Sequence, residues 1–314
     1  MNRREVTGMI CAALSAVFFG SEALVINAAY DLGSNPLMVT FGRFSIGTLL
    51  LGLILLILPS GTVRITKSQF FKLIPLSLFL SGTPMLLYSA YPFIGVGLST
   101  TLHFTYPVLV MALSALLFRT KPTKKDLICG ALCMTGIVLL SQVDGSLDGR
   151  GVFLALLSGL VYASYAIYLD RSGLRVLPVL TCSFWLSAIS MIWVLIAASV
   201  TGNLAFGLPG KVWIFYALLA LIAMVLGATL FQLGVRFCGP VRATLFSTLE
   251  PVTAVIVGLL AFHETLQGRM IIGIVLILLA VLVLAWPAKK TRKIKTRKPD
   301  APGVTNGYLS DFHD

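Results

Sequence analysis

Shifted by about 143 residues, the chain matches itself. The run GMICAALSAVFFGS, Gly8 to Ser21, falls on GVFLALLSGLVYAS, Gly151 to Ser164. Gly8, Ala12, Leu14, Ser15 and Ser21 land on Gly151, Ala155, Leu157, Ser158 and Ser164. At nearly the same shift TYPVLVMALSALLF from Thr105 falls on LEPVTAVIVGLLAF from Leu249. That stacks Pro107 on Pro251, Phe118 on Phe262 and, upstream, Gly95 on Gly239. A repeat this long built from apolar residues marks a duplicated bundle of membrane helices.

Composition excludes a water-facing surface. Of 314 residues, 57% are apolar and 11% charged, against roughly a quarter charged in a soluble domain. Mean hydropathy is +0.94. The chain therefore reads as an all-α integral membrane protein. A helix needs about 20 mainly apolar residues to cross the hydrocarbon. Ten segments meet or approach that length: 8–28, 37–58, 70–91, 94–117, 126–142, 150–170, 178–201, 212–235, 239–261 and 268–286. Arg3 and Arg4 precede an apolar stretch as in a signal peptide, but the stretch runs to about Ala28 and opens the repeat, so it is expected to be a retained first helix.

Loop cations set the expected orientation. With an inside N-terminus, the cytoplasmic segments collect most of the arginines and lysines, among them Arg64, Lys67, Lys72, Arg171, Arg175 and Arg236. The opposite side holds only Arg150, Lys211 and Arg269. Five spans per copy is an odd number, so the second copy must enter the membrane from the other side. The loops agree: RTKPTKK, Arg119 to Lys125, carries four cations, whereas its counterpart HETLQGR, His263 to Arg269, carries one cation and Glu264. The expected architecture is ten transmembrane helices as two inverted five-helix repeats, 1–142 and 150–286. A basic tail, 287–314, follows and is expected to be disordered and cytoplasmic, as is the N-terminus.

The same pieces resemble the drug/metabolite transporter superfamily, in particular its EamA-type ten-helix members. The resemblance is carried by Leu249-Glu250-Pro251-Val252, Phe262-His263-Glu264 and Gly273, by Tyr106-Pro107-Val108, and by YASYAIYLDR from Tyr162 to Arg171. It covers about residues 8–286 and implies secondary transport, often export, of small organic solutes. A departure is the first span, where many members carry a Trp-Gly pair and this chain has Phe19-Gly20 followed by Glu22.

Motifs for other chemistry are missing: no P-loop, no GxGxxG, no HExxH and no nucleophile elbow. The five cysteines, Cys11, Cys129, Cys133, Cys182 and Cys238, have no metal-ligand spacing and read as small apolar fillers. No cofactor or metal is expected, no nucleic acid, and no enzymatic activity. The partners are a small-molecule solute and the bilayer, with proton or counter-solute coupling as a candidate. His103, His263 and His313 are scattered along the chain rather than clustered for catalysis.

Ionisable groups inside spans single themselves out, since each costs about 2.5–3.5 kcal/mol at a helix centre. Glu22 lies about six residues before the outer end of the first span, Arg43 about six after the outer start of the second. At 1.5 Å per residue both lie about 9 Å deep, and pairing relieves both penalties. Glu22 is either a proton or substrate-amine site or the structural partner of Arg43. Glu250 stands near mid-depth before Pro251, which frees the carbonyl of Ser247; Pro107 likewise frees that of His103. Such acceptors persist only within protein or beside a wet cavity. Glu250 is otherwise a packed residue at a kink. His103 lies at mid-depth and titrates near neutral pH when unperturbed. Tyr88, Tyr91, Phe104, Tyr106, Tyr162, Tyr165 and Tyr168 are candidates to line a cavity or simply to pack. The leading reading is a secondary active transporter, an exporter of small organic metabolites such as amino acids across the cell membrane by alternating access. The alternative is a membrane-embedded structural or assembly protein, or an enzyme, without transport.

Overall fold

The computed structural model describes residues 3–58, 61–119, 122–140, 148–262 and 267–286. Every regular element among them is a helix: α1 (Arg3–Tyr30), α2 (Pro36–Ile57), α3 (Lys67–His103), α4 (Tyr106–Phe118), α5 (Lys124–Leu140) and α6 (Gly149–Arg171). A short 3-10 turn, Leu174–Val176, leads to α7 (Val179–Val200), α8 (Gly210–Leu219), a π-helical stretch Ala220–Ala228, α9 (Thr229–Cys238), α10 (Pro240–Phe246), α11 (Leu249–Phe262) and α12 (Gly268–Ala285). Eight helical stretches are long and apolar enough to span a bilayer. The chain is a multi-pass membrane protein. The expected contrast between the 119–125 and 263–269 loops, with His263 and Glu264, and the expected 287–314 tail fall largely on residues outside those described.

Local chemistry explains where the helices begin. Asn35 caps α2 by accepting from the Met38 N–H at 2.9 Å, with Pro36 at the first helical position, where its missing donor costs nothing. Thr66 and Gln69 form a reciprocal capping box at the start of α3. The π stretch leaves one ladder carbonyl free, and Ser15 of α1 donates to it at Gly227 over 2.8 Å.

Two expected spans are drawn differently. The expected division between 70–91 and 94–117 falls at Gly95, where the backbone leaves helical geometry within Lys67–His103 and two helices meet; the second of these spans breaks again at Phe104–Thr105. Gly95 absorbs the bend with φ 74°, ψ 164°, a conformation open to glycine because it lacks a Cβ. The 239–261 segment opens on Gly239 with φ 83°, ψ 164° and breaks at Ser247–Thr248. Both breaks fall just before the flagged prolines, so Pro107 and Pro251 lie in the first turns of α4 and α11 rather than mid-helix.

The helices pack in pairs: α3 against α6, α1 against α8 to α9, α2 against α7, and α5 against α12. Gly136 and Gly273 let α5 and α12 touch backbone to backbone; a methyl group on either would come within 2.8 Å of the other's carbonyl oxygen. One end of the bundle is tied shut. There Thr181 donates to the Thr62 carbonyl at 2.7 Å and Trp185 to that of Val63 at 2.8 Å. Arg236 reaches the Leu177 carbonyl at 2.8 Å, and Lys125 that of Leu284 at 3.1 Å. The opposite end, where α1 finishes and α2, α6, α8 and α12 start, is hollowed between α1, α3, α5, α11 and α12.

Candidate functional site

The deepest charged contact joins α1 to α2. Arg43 Nη1 donates to Glu22 Oε2 at 3.1 Å, with 6% and 15% of the two side chains exposed. A short turn connects the helices, so residues equally far from it meet at equal depth. The Arg43 guanidinium also lies 5.6 Å from the ring centres of Phe19 and Phe44, a cation–π arrangement on two sides. Its Nε is buried and has no acceptor among the described residues. Losing either member of so buried a pair would strand the other's charge, at about 3–5 kcal/mol.

Glu250 stands in the first turn of α11. Among the described residues its carboxylate makes no ion pair and accepts no hydrogen bond. It does not lack surroundings: it lines both cavities described below. Its backbone fixes its position. Glu250 N–H donates to the Ser247 carbonyl at 2.9 Å, and α1 crosses directly above, where a methyl group on Gly20 would lie 2.5 Å from the Glu250 carbonyl oxygen. The Ser247 carbonyl, expected to be an open acceptor, is therefore taken. The His103 carbonyl is covered instead: a methyl group on Gly159 of α6 would lie 2.7 Å from it. The proline breaks supply geometry and direction to side chains, not exposed backbone acceptors.

His103 is buried near the end of α3, its Nδ1 2.9 Å from Ser158 Oγ. Ser158 also donates to the Ala155 carbonyl at 2.6 Å, which uses its single hydrogen. Its oxygen thus accepts from His103 Nδ1–H, and in the neutral ring Nε2 is left as an acceptor. Around His103 the rings of Tyr106, Tyr162, Tyr165 and Phe231 form a continuous cluster, with Tyr106 and Tyr162 edge to face at 4.6 Å and Tyr162 and Phe231 tilted at 5.4 Å. A ring cluster of this kind supplies a rigid floor at little conformational cost.

Two connected spaces meet at the charged groups. The larger, about 510 Å³, runs from the hollow end past Asn27, Tyr91, Gly95, Thr100 and Phe104 to Phe19, Glu22, Tyr88, Glu250 and Pro251. The smaller, about 60 Å³, shares Phe19, Glu22, Leu87, Tyr88 and Glu250, then goes deeper to Arg43, His103, Tyr162, Tyr165 and Phe231. Beyond Leu80, Ala228 and Phe231 the interior closes into the packed core.

Of the residues singled out from sequence, Glu22, Arg43, His103, Tyr165, Glu250 and Pro251 border these spaces. Tyr106 and Pro107 do not: they are buried behind the cavity wall, Tyr106 with 1% exposed. Tyr168 packs on Phe79, away from the site. Phe19, Phe231 and Thr83 are wall residues that sequence reasoning passed over. Phe19 had a signal, standing three residues before Glu22 on the same helix face. Among the described residues no three His, Cys, Asp or Glu side chains gather as a metal-binding set. Cys133 instead meets Thr248 at 3.3 Å in the core.

Comparison with known proteins agrees with this geometry. The EamA-like transporter family matches residues 6–142 and again 149–286. An uncharacterized transporter of Synechocystis sp. is 28% identical over 213 residues; the match covers 64% of this chain and 62% of that protein, so under two thirds of its length. The threonine/homoserine exporter RhtA of Salmonella typhimurium is 27% identical over 293 residues, 91% of this chain and 93% of RhtA. A solved crystal structure shares the fold with a TM-score of 0.75 at 15% identity, over 88% of this chain and 96% of that one. With both halves matched, the chain belongs to the EamA-like transporter family of the drug/metabolite transporter superfamily, whose work is transport of solutes through a membrane and not catalysis.

Proposed function

We propose that the chain is a secondary active carrier that exports small organic metabolites, such as amino acids or related solutes, by alternating access. Ten spans in two inverted five-helix repeats, 1–142 and 150–286, rock about a midplane site. The observation that carries this reading is the taper of an end-opening cavity onto the unpaired carboxylate of Glu250 and the Glu22–Arg43 pair, with packed core beyond. A space accessible from one end and sealed at the other is what one state of a carrier requires; a channel would be continuous.

Inverted repeats are supported by the pairing of the helices. Exchange of the two halves turns the α1 contact with α9 into the α6 contact with α3. Gly8 presses on Phe237 and Cys238, and Gly151 on Phe93 and Ile94, which the repeat superposes. Gly95 and Gly239 share one backbone conformation. The starts of α6, α8 and α12, with Arg150, Lys211 and Arg269, lie at the hollow end, so the cation rule makes that end external and both termini cytoplasmic. The state described here is then outward-facing. Within it, Glu22, Arg43, His103 and Glu250 are the substrate and coupling groups, and a proton or counter-solute supplies the driving force. The RhtA likeness supports an amino-acid-like cargo and the outward direction.

The deciding experiment is counterflow in proteoliposomes. Pre-loaded solute should accelerate uptake of the same labelled solute, and the wild type should respond to an imposed proton gradient. A Glu250→Gln protein that folds should lose the gradient response, with exchange weakened but measurable. Linear, unsaturable flux would replace the carrier with a channel, and no flux for any metabolite enriched in cells lacking the gene would leave a scaffold. Labelling of single cysteines at 119–125 and 263–269 tests the topology: both on one side would end the inverted repeat.

A further inference from the structure

We infer that the cavity is built for a monocationic amine, held with its ammonium on Glu250. The inference rests on the carrier reading for where the solute goes, and narrows its cargo from amino acids and related solutes to amines without a carboxylate. The first argument is charge. The site holds two carboxylates, Glu22 and Glu250, and one guanidinium, Arg43. Only Glu22 is matched, at 3.1 Å from Arg43. The Glu250 carboxyl has no ion-pair partner among the described residues, in a space walled by Phe19, Leu87, Ile94 and Tyr162, where a lone ion is costly and a cation entering from water would hold it ionised.

The second argument is the direction of the free hydrogen bonds. Arg43 is partly committed inside the protein: Nη1 is on Glu22, Nε is buried, and Phe19 and Phe44 each lie 5.6 Å from the guanidinium. Two acceptors at the space have no internal partner among the described residues, the Glu250 carboxylate and His103 Nε2, while the one cation, Arg43, already has Nη1 on Glu22. Tyrosine hydroxyls serve either way. A solute that donates, with three N–H groups on one charged nitrogen, meets this set; a carboxylate would have to share Arg43 with Glu22.

The third argument is the wall. Tyr88 and Tyr91, 5.5 Å apart and tilted, stand with Phe19 and Phe104 along the approach to Glu250. Aromatic faces attract a cation and cover an apolar body without demanding hydrogen bonds. At about 510 Å³ the space suits a small amine with an aromatic or branched body.

Three probes of one shape separate the alternatives: 2-phenylethylamine, its neutral alcohol 2-phenylethanol, and its zwitterionic relative phenylalanine. Each is titrated calorimetrically into full-length protein in lipid nanodiscs. The amine should bind about tenfold or more tighter than either relative, as expected for one charge-assisted contact. Glu250→Gln, checked for folding by thermal unfolding, should remove that advantage and leave the alcohol unchanged. Should the variant not fold, the wild-type ranking alone decides. Phenylalanine binding as tightly as the amine would assign Arg43 to a carboxylate and overturn the proposal, as would equal binding of amine and alcohol or binding of none of the three. Amine binding without counterflow would remove the carrier reading and leave the site; counterflow of another solute without amine binding would do the reverse.

Discussion

Two helix crossings in this molecule are built alike and used differently. Where α1 meets α11, Gly20 lets one backbone settle on the Glu250 carbonyl; where α6 meets the end of α3, just before α4, Gly159 does the same over the His103 carbonyl. The glycines are not at matching repeat positions, since Gly20 falls on Ala163 and Gly159 on Ala16, yet the closeness is equivalent. The polar cargo differs. Under the repeat Glu22 falls on Tyr165 and Glu250 on Tyr106. The first crossing puts two carboxylates on a cavity wall, whereas the second holds two tyrosines with 1% exposed each, Tyr165 at the deep end of the smaller cavity and Tyr106 behind its wall. A carboxylate must stay near water or a counter-ion, while a tyrosine can be sealed into a ring cluster. The difference teaches that the duplicated scaffold was kept for its packing and that its chemistry was placed on one face.

The comparison breaks most visibly through Arg43. Arg43→Gln leaves Glu22 unpaired at the charged crossing and should cost about 3–5 kcal/mol in thermal unfolding of the purified protein, with part recovered by exchanging the two charges. Equal stability to wild type would mean that the pair does not hold α1 to α2. Next in size are the two crossings themselves. Gly20→Ala and Gly159→Ala each force a methyl group onto a carbonyl and should each cost about 1–3 kcal/mol. If one proves neutral, the crossings are not built alike.

Wetness is read by cysteine labelling in a cysteine-free background. Ala254→Cys on α11 lines the cavity and should react with an impermeant maleimide; Val110→Cys, its repeat counterpart on α4, is fully buried and should not. Labelling of both, or of neither, would erase the contrast. The smallest effect belongs to Tyr165→Phe. Its hydroxyl is buried without a hydrogen-bond partner among the described residues, so removing it should leave stability unchanged or raise it by at most about 1 kcal/mol. A clear loss of stability would show that the hydroxyl is satisfied by a water and that the tyrosine side is also wet.

Depth was legible from sequence and direction was not. Counting residues from a helix end gives depth at a fixed rise, which is why the Glu22–Arg43 contact was readable before any coordinates. The same count put His103 and Glu250 at the middle. It gave no access to what stands opposite. Pro107 and Pro251 signal broken helices, but whether a freed carbonyl faces water depends on the neighbour, and here Gly159 covers one and the Glu250 N–H takes the other. Tyr106 and Tyr165 looked alike as tyrosines at mid-depth; only the latter borders the cavity.

The sequence by itself determined that this chain lives in a bilayer, that its helices come as a doubled set, and which few charges are carried into the hydrocarbon. Those properties follow from composition, period and repeat, all of which are local or additive along the chain. Tertiary structure decided that Arg43 meets Glu22 and two phenyl rings, that Glu250 makes no ion pair among the described residues, and that one end is hollow while the other is tied shut. These depend on which faces of helices far apart in the chain come together, and the packing of the whole bundle, not any one segment, selects them.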